Sequence, residues 1–555
     1  MSSHLHPRIA ALLVTLVIGL SGVAEAQYFG RNKVQHKEFK FEVLKTEHFE
    51  IYFYPEEREA AAQVGRLAER WRARLSQLFQ HSLTTPQPIV LYASSPDFQQ
   101  TNVVEGIGEG TGGVTESLKR RVVLPMAGTL KDTDHVLGHE LVHAFQYDIA
   151  SRQRTDSMGS ALEALPLWFI EGMAEYFSIG HIDPHTAMWI RDAARQDEEL
   201  PTIHKLNDSR YFPYRWGQAF WAYVAGRWGD QRVGELLDAA LQLRSTDAAF
   251  KRVLGLTSDE ISKGWHEAIR AQYQPVLEAT ERVHRYGRLL AGSEDARRGL
   301  NVSPSLSPDG RRVVYFSQRG LLSVDLYLAD VETGQVIRRL VNTAIDGHFT
   351  SLQFIGSVGS WHPQGRQFVF GAISNGRPEL TIVDVERGER VREIPFPDLG
   401  EILNPSWSPD GQSIAFSATK GGFSDLYIYD LEASSLRQIT SDAFAELQPA
   451  WAPDGRRLAF VTDRFTTDLA KLQSGVLRLA VLDPMTGEIT ALTTFERGKS
   501  INPQWHPNGR ELYFLSDQNG ITNLYELNTS EGQILQVTNL DGGASGVTAL
   551  SPALS

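Results

Sequence analysis

Apolar residues recur along this chain with two different periods, and the change falls near residue 290. In the first part, "AAAQVGRLAERWRARLSQLF" (60–79) places Val64, Leu67, Ala68, Trp71, Leu75, Leu78 and Phe79 on one face at helical spacing, which predicts an amphipathic helix. The run "HFEIYFYP" (48–55) alternates instead, with Phe49, Ile51 and Phe53 on one side. "PIVLYA" (88–93) and "RVVLP" (121–125) are short β-rich runs. Strands followed by helices predict an α+β domain over residues 27–290.

Beyond that point the pattern repeats. "SPSLSPDG", "GSWHPQG", "NPSWSPDG", "QPAWAPDG" and "NPQWHPNG" carry turn prolines at Pro308, Pro363, Pro409, Pro453 and Pro507, at intervals of 55, 46, 44 and 54 residues. Proline fixes φ for a turn, a polar residue follows, and glycine takes the unusual φ. Two residues before each proline stands a large apolar group: Leu306, Trp361, Trp407, Trp451 or Trp505. Alternating strands such as "RRVVYFS" and "QSIAFSA" follow each turn. A period of this length belongs to propeller blades. The five phrases resemble the Tol-B-like six-bladed β-propeller family over roughly Gly299 to Ser555. The resemblance implies an all-β propeller domain at 291–555, with the repeated Trp and Asp residues structural. "SPALS" (Ser551–Ser555) matches the opening of the first phrase, so five repeats are visible and a sixth is expected to begin there and be cut short. The domain boundary is expected within "RLLAGSEDARRGLN" (288–301), where helical periodicity stops and small and charged residues gather.

A net charge of −13 and no long basic run argue against nucleic acid as a partner. The Lys119-Arg120-Arg121 triplet reads as a solvated strand end. The absence of cysteine excludes disulfides, thiol catalysis and thiolate metal sites, so any metal must sit on His, Asp or Glu. At the N-terminus, Arg8, the apolar stretch Ile9–Leu20 and the small residues Ala24–Ala26 read as a secretory signal. Residues 1–26 are expected to be removed between Ala26 and Gln27, which predicts a periplasmic or secreted protein without stable membrane insertion after cleavage.

The candidate chemistry lies in "HVLGHELVHAFQYD" (135–148). On a helix, His139 and His143 project from one face and can present ring nitrogens to one ion. Glu140, about 100° further round, can reach a water on that ion and take its proton. His135 lies one turn earlier and reads as a surface or supporting residue. In "LPLWFIEGMAEYFS" (165–178), Glu171 is a suitable third ligand, and Glu175, one turn on, could hold the far nitrogen of a ligand histidine. Tyr214, in "PYRWGQAFWAYVAGRWG" (213–229), could either hydrogen-bond an oxyanion or belong to the core.

"HELVH" together with "WFIEGMAEY" resembles the gluzincin metallopeptidases (peptidase MA-like, His-Glu-x-x-His), which include thermolysin and the aminopeptidase N family. That resemblance implies Zn2+ bound by His139, His143 and Glu171, Glu140 as general base, Tyr214 as a catalytic tyrosine, and Glu175 as the acidic residue four after the third ligand. The gap from His143 to Glu171 is longer than in aminopeptidase relatives, and the polar stretch Ser151–Glu163 reads as an inserted loop. "GVTES" (113–117) weakly resembles the aminopeptidase substrate-binding phrase, with Glu116 at the place that holds a free amine. Exopeptidase and endopeptidase modes both stay open. The reading is a zinc metallopeptidase acting on peptide or protein substrates, with the propeller as a docking or gating platform and a site for a protein partner. The alternative is a non-catalytic, propeller-based scaffold with a relic peptidase domain. With no Gly-x-Ser-x-Gly phrase present, a serine hydrolase is rejected.

Overall fold

The computed structural model describes residues 35–103, 107–152, 160–195, 200–292, 299–320 and 323–555. The expected signal segment, the centre of the 151–163 stretch and residues 293–298 of the expected boundary lie outside the described residues.

The N-terminal region is a five-stranded sheet with helices packed against it. Its strands are β1 (Glu42–Lys45), β2 (Phe49–Phe53), β3 (Gln87–Tyr92), β4 (Val114–Thr115) and β5 (Val122–Pro125), in the order β1-β2-β3-β5-β4. β2, β3 and β5 run parallel, while β1 and β4 are antiparallel edges. In β2, Phe49, Ile51 and Phe53 are buried and the residues between them are half-buried, as strand alternation requires. Helix α1 (Arg58–Phe79) buries Val64, Leu67, Ala68, Trp71, Leu75 and Phe79. Then come α2 (Leu130–Arg152), α3 (Leu167–Ile179), α4 (Pro184–Arg195) and α5 (Pro213–Trp228), with three further helices ending at Ala279. The stretch expected as a loop is helical at both described ends: Ser151 and Arg152 finish α2, and Ser160–Glu163 forms a single turn.

The C-terminal region is a β-propeller of five four-stranded blades, each a meander in sequence order. They begin at Asn301, Ser360, Ile402, Glu446 and Ser500. Each repeated turn ends on a glycine at positive φ, Gly310, Gly365, Gly411, Gly455 and Gly509, all between 67° and 71°, a region where a Cβ is strained. Two of the tryptophans join neighbouring blades through their side chains. The Trp361 indole N–H donates to Ser305 O at 2.9 Å, and that of Trp505 to Ala450 O at 3.1 Å. The residues that read as the start of a sixth blade lie between the fifth blade and the first. Asn502 Oδ1 accepts from the amides of Ala553 and Leu554, and the Leu306 amide donates to Ser555 Oγ.

The two regions are joined by more than the chain. Arg66 and Arg70 of α1 donate to the carbonyls of Leu469, Ala470 and Leu472, and Leu469 and Leu472 pack on the helical core. Arg191 of α4 reaches the carbonyls of Asp541 and Gly542 at 3.0 Å each. In the loop before β4, Glu109 accepts from the Ser351 hydroxyl and the Ile355 amide of the propeller.

Candidate metal centre

Helix α2 carries an unusual load of buried polar groups: His139, Glu140, His143, Gln146 and Asp148 all lie within the core. Such groups are costly without partners, and the surrounding packing provides them. Gly138 leaves room for Trp71, since a Cβ there would lie 2.5 Å from the indole. The Trp71 N–H donates to Asp134 Oδ1 at 2.6 Å. Together these contacts fix α1 against α2 one residue before His139.

Glu171 and Tyr214 arrive on α3 and α5, which cross at two glycines. A Cβ on Gly172 would sit 2.3 Å from the Gly217 Cα, and one on Gly217 would sit 2.3 Å from Trp168 O. Only bare backbone allows so close an approach. The crossing sets Glu171, next to Gly172, and Tyr214, one turn before Gly217, on either side of the same space.

Among the described residues, His139, His143 and Glu171 form the one group of three whose ligating atoms lie within 4.8 Å of one another. His139 Nε2 is 3.1 Å from Glu171 Oε2, His143 Nε2 is 3.2 Å from the same oxygen, and the two Nε2 atoms are 3.1 Å apart. Tetrahedral zinc with bonds of about 2.0–2.2 Å has edges of about 3.3–3.6 Å, so the observed triangle matches one face to within a few tenths of an ångström. The tautomer of His143 is set from outside. Gln146 donates through Nε2 to Ile170 O at 3.2 Å and turns its Oε1 to His143 Nδ1 at 2.8 Å. His143 Nδ1 therefore carries the proton, and Nε2 keeps its lone pair for the triangle. The donor set fits a divalent zinc ion.

The charges agree. Burial opposes a charged His143, yet the carboxylate of Glu171 beside it outweighs burial and lifts its pKa to about 9. Burial likewise opposes the Glu171 anion, but the two histidines hold its carboxyl far below the usual range.

Glu140 faces the same space. Thr115 of β4 donates to Glu140 Oε2 at 2.7 Å, and Gly113 passes so close that a Cβ would lie 2.9 Å from Glu140 Cγ. Tyr214 stacks on His139, with centroids 5.7 Å apart and planes 17° from parallel, which brings its hydroxyl near the Glu171 carboxylate. Burial first, then the charge of Glu171, raises its pKa far above that of a free phenol, which keeps it a donor. Glu175 Oε2 lies 4.0 Å from His139 Nδ1 and 3.3 Å from His135 Nε2. It therefore sits between His139 and His135, nearer to the latter.

Glu116 is not brought to this group. Side chains alternate across a strand: Thr115 takes the face toward Glu140, while the Glu116 carboxylate is held by Arg121 Nε at 3.0 Å and the Lys119 amide at 2.9 Å. An amine-holding role at Glu116 would require breaking that ion pair. Thr115 and Gln146 were missed in the sequence. Gln146 could have been found as the polar residue one turn after His143 in an otherwise apolar stretch, and Thr115 by shifting the "GVTES" reading by one residue.

The comparisons with known proteins concern the second region. Residues 353–469 match the TolB beta propeller domain family. Among solved structures, the chain is similar to TolB from Acinetobacter baumannii, at 20% identity, covering 51% of this chain and 72% of that one, with a TM-score of 0.34. It is also similar to a puromycin-hydrolyzing peptidase from Mycobacterium tuberculosis, at 17% identity, covering 45% of this chain and 39% of that one, with a TM-score of 0.32. The protein is thus a multidomain chain with a helical N-terminal region and a five-bladed propeller. That propeller is TolB-like. Among the described residues, no helix is long and apolar enough to cross a membrane.

Proposed function

We propose that this chain is a periplasmic or secreted zinc-dependent peptidase of gluzincin type, with the propeller as a docking platform. The observation that carries the reading is the convergence of His139 Nε2, His143 Nε2 and Glu171 Oε2 on one point, with Glu140 buried beside it. Zinc, when bound there, supplies a Lewis acid that polarises a carbonyl and makes water a nucleophile near neutral pH. Glu140, oriented by Thr115, takes the proton of the attacking water and returns it to the leaving amine as the C–N bond breaks. Tyr214 turns its hydroxyl from Glu171 toward the carbonyl oxygen as negative charge develops there. Gln146 keeps His143 in its ligating tautomer, and Glu175 places a negative charge between His139 and His135. A relic domain in a scaffold protein would be expected to have lost part of this set.

The experiment is digestion of a peptide library by the full chain. Cleavage should stop on chelation, return with added zinc, and be lost in Glu140→Gln. Cleavage that survives chelation, or none from zinc-replete protein, overturns the reading.

A further inference from the structure

A row of aromatic rings leads from the metal centre to the surface. His139 is buried and stacks on Tyr214. Tyr214 stacks on Phe212, with centroids 5.1 Å apart and planes at 29°. Phe212 in turn lies 5.8 Å from Trp189 of α4, at 32°. The row passes from buried His139 through half-buried Tyr214 to two exposed rings, Phe212 at 44% and Trp189 at 37%. Neither ring is needed to fill the core, and each offers apolar surface to solvent. Large aromatics exposed together beside a cluster of buried ligating groups mark binding surface rather than packing. Rings tilted by about 30° at this spacing present faces and edges suited to another ring or a broad aliphatic side chain. The position is held firmly. Phe212 is the residue at which α5 begins, with Pro213 behind it, and Arg215 on the same first turn pairs with Asp183 at 3.4 Å, just before α4.

We infer that Trp189 and Phe212 form the specificity subsite of the metal centre and receive an aromatic or large aliphatic substrate side chain next to the cleaved bond. This rests on the peptidase reading, with the occupant argued from continuity: the row ends on Tyr214, which stacks on His139 and lies near Glu171. A peptide bond held at the centre brings its neighbouring side chain over Phe212. Burying a side chain of that size against two rings is worth about a tenfold preference or more over alanine.

The test uses two arms on the full chain. In the first, kcat/KM is measured for peptide pairs differing only in phenylalanine or alanine beside the cleaved bond. Trp189→Ala is expected to lower kcat/KM for the phenylalanine peptide about tenfold while changing the alanine peptide less than about twofold; Phe212→Ala, which also removes the ring stacked on Tyr214, should lower the ratio between the two peptides by a similar factor. Trp189→Phe should restore most of the preference, which separates a lost surface from a misfolded helix. In the second, chelator-treated protein is titrated calorimetrically with the same peptides, so that binding is read without catalysis. The phenylalanine peptide should bind more tightly than its alanine counterpart in wild type and lose that advantage in Trp189→Ala. If the peptidase reading fails but the subsite is real, this second arm still shows selectivity. Equal binding of both peptides by wild type, or selectivity that survives both alanine variants, overturns the inference.

Discussion

Gly217→Ala should disturb the candidate metal centre without touching His139, His143 or Glu171. The added methyl would stand 2.3 Å from Trp168 O and 2.5 Å from the Gly172 Cα, where ordinary carbon contacts need about 3.5 Å. Backbone lies on both sides, so no flexible side chain can yield, and α3 and α5 must separate by about 1 Å. Overpacking of this kind costs about 1–3 kcal/mol, which corresponds to a Tm lowered by about 2–10 °C for a region of this size. The same movement pulls Glu171 away from Tyr214, and a misplacement of about 1 Å near reacting groups can cost about 10²-fold in rate. Calorimetry reads the first effect and kcat on a zinc-replete sample the second. Gly226→Ala on the same helix is the control: nothing lies within 4 Å of its position, so it should be neutral or stabilise by up to about 1 kcal/mol. If Gly217→Ala matched wild type in both Tm and kcat, the glycine crossing would not be what sets the distance between the third ligand and the tyrosine.

Further outcomes follow from the same geometry. Glu140→Gln should retain zinc and lose about 10²–10⁴-fold in kcat; loss of metal together with activity would make Glu140 a structural residue instead. Gln146→Leu removes the acceptor that fixes His143 Nδ1–H and should weaken zinc affinity about 10–100-fold, read by competition with a chromogenic chelator; unchanged affinity refutes that role. Glu57, buried at the start of α1, has its pKa pushed up to about 9 by burial. The folded protein keeps this proton while the unfolded chain loses it above about 4.5, so this group's contribution to stability falls as pH rises from about 4.5 to about 9. Glu57→Gln should therefore gain Tm relative to wild type between pH 5 and pH 9, and a constant difference across that range would show that Glu57 is ionised in the fold.

The propeller was legible because its information is local and repeated. A turn that needs a glycine at positive φ, with a large apolar residue two positions before its proline (leucine once, tryptophan four times), can be read five times over. The helix of His139 and His143 was legible for a similar reason, since their relation is set by helical periodicity within five residues. What the sequence concealed depends on contacts between distant elements. The approach of Gly172 to Gly217, the packing of Trp71 on Gly138 and the passage of Gly113 over Glu140 have no local signature. Nor does the aromatic row, because Trp189 and Phe212 come together only when α4 and α5 pack. The contacts of Glu116 were equally hidden: its carboxylate pairs with Arg121 and the Lys119 amide just past the end of β4, while Thr115, the last residue of that strand, meets Glu140.

The most direct measurement is the metal content of the full chain purified without chelators, determined by inductively coupled plasma mass spectrometry for wild type and for His143→Ala. One zinc per chain in wild type and a loss of at least nine-tenths of it in His143→Ala are expected if His139, His143 and Glu171 form the centre. Less than about one-tenth of an equivalent in wild type after reconstitution with zinc, or full occupancy in His143→Ala, would contradict the assignment of this triangle as a zinc site.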